Sequence, residues 1–239
     1  MKNFELIPFS NPDDLAKAVA TAWVNEIVSA QRTGKTHSVA LSGGRITQKF
    51  FAHTVEQAKA RAVSFDHVHF FWADERCVPP TDPDSNFKMA NELLFAPLKI
   101  PQKNIHRLRG EDAPAAAVKT AAAELHQFVT LEKNDLPVLD LIFLGMGEDG
   151  HVASLFPKTS LQFLDISVPF LVVENSPKPP PTRISLTYKM IFTAQNIWIL
   201  VSGAGKEAAF HESLSPDGST PMAQVIRARA NTRIFSDLP

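Results

Sequence analysis

Strand-sized apolar runs alternate with amphipathic stretches along the chain, and three of the runs end in residues that can do chemistry. HSVAL leads into Ser42-Gly43-Gly44, HVHFFW into Asp74-Glu75-Arg76, and LDLIFLG into the loop from Gly145 to His151. This alternation predicts an α/β fold with a mainly parallel sheet covered by helices. In such sheets ligands bind beyond the carboxyl ends of the strands, so one pocket is expected to collect all three segments.

The helices are marked by their ends. Asn11-Pro12-Asp13-Asp14 opens the first: a capping residue, proline at the first helical position, then two carboxylates against the positive end of the dipole. Leu15, Val19, Ala22, Trp23 and Ile27 follow at helical spacing, and Gly34 is read as the terminator. Further helices are expected through Phe50, Phe51 and Val55, around Met89 to Phe95, and from Ala115 to Val129. VPFLVVEN, RISLTY, NIWILV and TRIFSD supply more strands. The short SPKPPPTR stretch reads as a stiff loop that delivers Arg183 rather than a linker, so residues 1–239 are expected to form one domain.

Composition removes several classes of function. The formal net charge of -1 leaves no basic surplus for nucleic acid or an anionic membrane, so a bound anion needs a local site. The opening residues lack an apolar export core, and the longest apolar runs are strand-sized, so neither export nor a membrane span is expected. Cys77 is the only cysteine, which excludes intrachain disulfides and multi-thiolate metal sites and suits a reducing cytoplasm.

Four segments carry candidate chemistry. In LSGGRITQKF, the glycines let backbone N–H groups approach an anion at a helix N-terminus, although a Gly-Gly pair by itself is more often only a turn. In FWADERCVPPTDPDSNF, Arg76 has the fork to hold a phosphate or carboxylate, or only an ion pair, and Asp84 and Ser85 serve as a helix cap or as substrate contacts. In LDLIFLGMGEDGHVASLFP, glycines at 145, 147 and 150 turn the chain tightly and present His151, a residue able to take a proton from water near neutral pH. In PPPTRISLTYKMIFTAQNIWILVSGAGKEAAF, Arg183 and a glycine-framed Lys206 offer further anion contacts, the latter alternatively a solvated surface lysine. His67 and His69 alternate on one strand face without an evident third metal ligand, and no G-x-S-x-G elbow provides a serine nucleophile.

In this order the segments resemble the 6-phosphogluconolactonase family, whose pattern runs SGG, DER with a downstream DSN, GMGxDGHxASLFP, PPPxRxTLT and GxxK. The likeness spans Leu41 to Lys206, and GMGEDGHVASLFP is its most specific piece. It implies a three-layer αβα sandwich with a Rossmann-like sheet, the fold shared by sugar-phosphate isomerases and lactonases. It further implies hydrolysis of 6-phospho-D-glucono-1,5-lactone in the pentose phosphate pathway, with no cofactor and no metal. Residue by residue, His151 takes the base role, and Ser42, Gly43, Gly44, Arg76, Arg183 and Lys206 line the substrate and its phosphate. Asp149 or Asp74 orients the imidazole or the substrate. One departure stands out: the family commonly continues SGG with Ser-Thr-Pro, whereas Arg45-Ile46-Thr47 follows here, and Arg45 either supplies charge or points to solvent.

A δ-lactone is an activated ester, so the expected machinery is a positioned water, a base and stabilisation of an oxyanion, not a covalent nucleophile. The expected partner is a small phosphosugar lactone, and the protein a monomer or small homo-oligomer. Two competing readings remain. A glucosamine-6-phosphate deaminase shares the fold and a DGH loop, but that loop typically continues into Asn-Glu-Pro, where this chain has Ala153-Ser154-Leu155-Phe156-Pro157. A non-catalytic sugar-phosphate sensor would have no use for His151.

Overall fold

The computed structural model describes residues 4–129, 136–157, 163–164, 166–229 and 231–239. In chain order the elements are β1 (Phe4–Pro8), α1 (Pro12–Arg32), β2 (His37–Leu41), α2 (Arg45–Ala60), β3 (Val68–Trp72), β4 (Asp74–Arg76), α3 (Asn86–Ala90), α4 (Ala96–Leu98), α5 (Pro114–Phe128) and β5 (Leu141–Gly145). There follow β6 (Phe170–Val173), β7 (Arg183–Leu186), α6 (Tyr188–Thr193), β8 (Asn196–Val201), α7 (Glu207–Leu214), α8 (Pro221–Ala228) and β9 (Thr232–Ser236). A π-helical turn over Asn91–Phe95 joins α3 to α4, so the helix expected around Met89 to Phe95 is interrupted rather than regular.

Six strands form a parallel sheet in the order β1-β9-β8-β5-β2-β3, flanked by helices. Every residue of β2 is buried, as are the first four of β5 and the last five of β8. Strands covered on both faces read as continuous apolar runs, which is why HSVAL, LIFL and IWILV are visible in the sequence. β1 is different: it lies at the sheet edge with all five of its residues exposed or half-exposed, and its FELIP sequence carries no such apolar run.

The first helix forms as its start signal predicts. The Asn11 side chain accepts from the N–H groups of Asp13 (3.0 Å) and Asp14 (2.9 Å), satisfying two donors that a helix start leaves open. Its buried stripe of Leu15, Val19, Trp23 and Ile27 faces the core, and Gly34 lies just past its end. Trp23 meets the rings of Phe50, Phe65, Phe70 and Phe143 at 5.2–6.3 Å between centroids, tying α1 and α2 to β3 and β5. Removing a buried ring of this kind typically costs about 3–5 kcal/mol.

Two features of this topology position a site. From β2 the chain moves outward through α2 to β3, whereas from β5 it proceeds to β8 and β9 on the other side, so the β2/β5 boundary is a topological switch point. Ligands of open α/β sheets bind at such a point, beyond the carboxyl ends. In addition, β3 runs through Ala73 directly into β4, which leaves the main sheet and joins an antiparallel sheet ordered β4-β7-β6. That small sheet brings the segment around Arg183 against the one around Arg76.

Candidate active site

The carboxyl ends of β2, β5 and β8, with β4 and β7, line one open cleft. Its walls include Ser42, Gly43, Gly44, Arg45, Asp74, Arg76, His151, Arg183 and Lys206, so nine of the ten residues picked from sequence converge on one space. The tenth, Asp149, stands behind His151.

The loop after β5 sets the imidazole. The Nδ1 of His151 lies 2.5 Å from Oδ1 of Asp149, and the His151 N–H donates to the same oxygen at 3.3 Å. An ionised carboxylate only accepts, so a neutral imidazole in this contact carries its proton on Nδ1 and keeps the Nε2 lone pair free. The ring rests over the backbone of Gly147, where a Cβ would fall 2.0 Å from Nδ1. Only glycine admits the imidazole there. Its other neighbour is the Phe156 ring, at 4.5 Å. Burial works to raise the Asp149 pKa, but the hydrogen bond and charge of His151 outweigh it and hold the carboxyl at about 2.

Asp74 is placed otherwise. It is buried, with Oδ2 accepting from Ser154 Oγ (2.7 Å) and Oδ1 from Asn86 Nδ2 (3.3 Å). The carboxylate against His151 is therefore Asp149, and Asp74 faces the cleft from the opposite segment. Its neighbour Glu75 is turned inward: it accepts from the N–H groups of Arg76, Asn86 and Phe87 at 2.8 Å and from Ser85 Oγ at 3.1 Å, and burial raises its pKa. Ser85 also caps α3 by accepting from Lys88 N, and Asp84 offers its carbonyl to Arg76 Nη1 at 2.8 Å. For these two the structure shows cap and scaffold contacts.

The glycine loop opens α2. Gly44 is its cap and has no side chain to offer the free N–H groups, which leaves this 16-residue helix with an open N-terminus at the cleft. Ser42 Oγ is used inward, donating to Phe143 O at 2.8 Å. Gly43 packs against Asn86 so closely that a Cβ would lie 2.0 Å from Asn86 Oδ1. Arg45 is exposed and lines the cleft. Its charge is the one that most affects Lys206, whose pKa is lowered first by burial and next by Arg45. Among the described residues neither Arg45 nor Lys206 has a carboxylate partner within ion-pair distance.

The cleft also contains a residue that sequence reading passed over. Ser202 follows β8 as Ser42 follows β2, a signal that would have found it, and its Oγ donates to Asp237 Oδ2 at 2.8 Å. The residues set aside lie elsewhere. His67 contacts Ile27 O at 3.0 Å and His69 contacts His106 at 2.9 Å, and among the described residues no group of three or more His, Cys, Asp and Glu could hold a metal ion. Cys77 is half-buried, and burial followed by the charge of Glu75 pushes its thiol pKa up. Among the described residues no helix is long and apolar enough to cross a membrane.

Comparison with known proteins shows the family. A family model described as glucosamine-6-phosphate isomerases/6-phosphogluconolactonase matches residues 10–235. A 6-phosphogluconolactonase of Treponema pallidum (strain Nichols) is 35% identical over 210 residues, 88% of this chain and 84% of that protein. One of Streptomyces coelicolor is 33% identical over 236 residues, 95% of this chain and 90% of that protein. The structure of 6-phosphogluconolactonase from Trypanosoma brucei is similar at a TM-score of 0.88 and 25% identity, covering 98% of this chain and 96% of that one.

Proposed function

The chain belongs to the glucosamine-6-phosphate isomerase/6-phosphogluconolactonase family, and on that basis we propose that it hydrolyses 6-phospho-D-glucono-1,5-lactone to 6-phospho-D-gluconate. The single observation that carries the reading is a histidine–carboxylate pair in the same cleft as an open helix N-terminus and two cations, Arg45 and Lys206, that have no carboxylate partner among the described residues. The pair supplies a base, and the cations and N–H groups supply a grip for the phosphate.

In the proposed reaction, His151 Nε2 takes a proton from a water molecule as its oxygen bonds to C1, giving a tetrahedral oxyanion. As that intermediate collapses, the bond from C1 to the ring oxygen breaks, and His151 returns the proton to the departing oxygen. The acid so formed loses its own proton to solvent. Asp149 keeps the imidazole in the working tautomer and stabilises its cationic form. General base catalysis of this kind typically contributes about 10² to 10⁴ in rate. The N-terminus of α2, Lys206 and Arg45 hold the phosphate, so that binding energy remote from the reaction orients C1 against the base.

The reading takes the chain as one domain acting in the cytoplasm on a small molecule, as a monomer or small homo-oligomer. Its test is lactone disappearance at mildly acidic pH, where spontaneous opening is slower, with amine release from glucosamine 6-phosphate measured in parallel. Enzyme-dependent lactone loss without amine release supports the lactonase. The converse establishes the deaminase.

A further inference from the structure

β8 and β9 are parallel neighbours whose register pairs Val201 with Ser236, so the residues that follow them, Ser202 and Asp237, emerge side by side at the carboxyl edge of the sheet. Ser202 lines the cleft, and its Oγ donates to Asp237 Oδ2 at 2.8 Å. A hydroxyl has one proton, so while it is given to Asp237, Ser202 presents only lone pairs to the cleft. That surface suits a cation and not the oxygens of a phosphate dianion. The other carboxylate oxygen, Asp237 Oδ1, is buried and has no hydrogen-bond partner. A carboxylate so placed is costly unless positive charge stands near it.

Lys206 follows Ser202 in the same glycine-framed turn and lines the same cleft, and among the described residues its ammonium has no hydrogen-bond partner. Charged groups approach this turn from several sides. Arg45 comes from the start of α2: a Cβ at Gly203 would lie 3.8 Å from its Nη2. Glu148 comes from the loop after β5: a Cβ at Gly205 would lie 3.9 Å from its Cγ. Lys178 comes from the proline loop and pairs with Glu148 at 3.6 Å, and Glu207 turns to the Gly205 N–H at 2.9 Å. Asp237 comes from the end of β9. Burial lowers the Lys206 pKa first; Arg45 and Lys178 lower it further, whereas Glu148 and Asp237 raise it. Glu148 and Lys178 are paired and both reach solvent, so their opposed effects largely cancel, and the carboxylate left to oppose Arg45 is Asp237.

We infer that Asp237 is a positioning residue for the phosphate end of the cleft: it holds the Ser202 proton away from the ligand and supplies the fixed negative charge that sustains Lys206 as a cation beside Arg45. This rests on the reading of Lys206 as a phosphate contact. Asp237 reaches the ligand only through Ser202 and Lys206. Without it two cations share a partly desolvated corner, and lysine, unlike arginine, relieves the repulsion by giving up its proton. The grip on phosphate therefore persists to a higher pH than burial and Arg45 alone allow.

Calorimetric titration of glucitol 6-phosphate from about pH 7 to about pH 10 tests this, because a phosphate monoester takes its second charge at about pH 6 and keeps it across that range. The unaltered protein is expected to lose affinity as Lys206 gives up its proton, and Lys206→Gln should remove that loss. In Asp237→Asn the midpoint of the loss should fall by about half a pH unit or more, with affinity at about pH 7 within about threefold of the parent. Asp237→Ala should shift it alike, and carries the test if Asp237→Asn fails to fold. An unmoved midpoint, or affinity lowered equally at every pH, would overturn the proposal and leave Asp237 a structural contact of Ser202. A flat parental profile would overturn it together with the phosphate role of Lys206. Loss of the lactonase reading shows separately, as absence of lactone turnover with the midpoint shift intact.

Discussion

Asp149 and His151, two residues apart in a glycine-framed loop, meet through Oδ1 and Nδ1 at 2.5 Å. This contact fixes which imidazole nitrogen is free. Asp149→Asn keeps the shape but offers an amide that can donate to Nδ1, moving the ring proton to Nε2. The kcat for the lactone should fall about 10²-fold or more with KM little changed, because the lost group acts on the reacting atoms rather than on binding. Steady-state kinetics of the folded variant check it, and an unaltered kcat would remove Asp149 from the mechanism.

The same contact makes stability depend on pH. Folding holds the Asp149 carboxyl at about 2 against its ordinary 3.8. A group whose pKa is depressed by folding stabilises the fold above its unfolded value, and that contribution disappears as pH falls from 3.8 through about 2. Denaturant midpoints should therefore separate the parent from Asp149→Asn more widely at about pH 5 than at about pH 2. A gap independent of pH would contradict this.

Lys206 and Arg45 face the cleft without carboxylate partners among the described residues, at the open end of α2. Lys206→Gln should raise KM for the phosphorylated lactone about tenfold and leave kcat near its original value. Hydrolysis of unphosphorylated glucono-1,5-lactone should not change. If both lactones suffer equally, Lys206 does not hold the phosphate.

Gly43 leaves room for the Asn86 amide that anchors Asp74 through its carbonyl oxygen at 2.9 Å. Gly43→Ala forces that amide aside and should destabilise the fold by about 1–3 kcal/mol. Asn86→Ala should relieve the clash, so the two changes together should cost less than the sum of their separate effects. A double-mutant cycle on denaturant midpoints measures this, and strict additivity would show that the contact is not the cause.

Much of this was legible in the sequence, for identifiable reasons. β2, β5 and β8 are buried on both faces and so appear as unbroken apolar runs, and α1 declares its start through Asn11, Pro12, Asp13 and Asp14. The strand-ending motifs then fall at one switch point because parallel strands share a carboxyl end. Other parts left no such mark. β1 is an edge strand with little buried surface, and β4 has three residues continuing from β3, so neither the edge nor the departure into a second sheet shows as a pattern. Whether Asp149 or Asp74 serves His151 depended on the path of a turn. Asp74 proved to be held by Ser154, eighty residues away in the chain.

The most direct measurement is the single-turnover rate of lactone opening by His151→Ala, together with its affinity for 6-phosphogluconate. The expected outcome is a folded protein that binds the phosphosugar within a few-fold of the parent while opening the ring about 10² to 10⁴ times more slowly. Near-parental opening by a variant with no imidazole at residue 151 would contradict the assignment of His151 as the group that activates water.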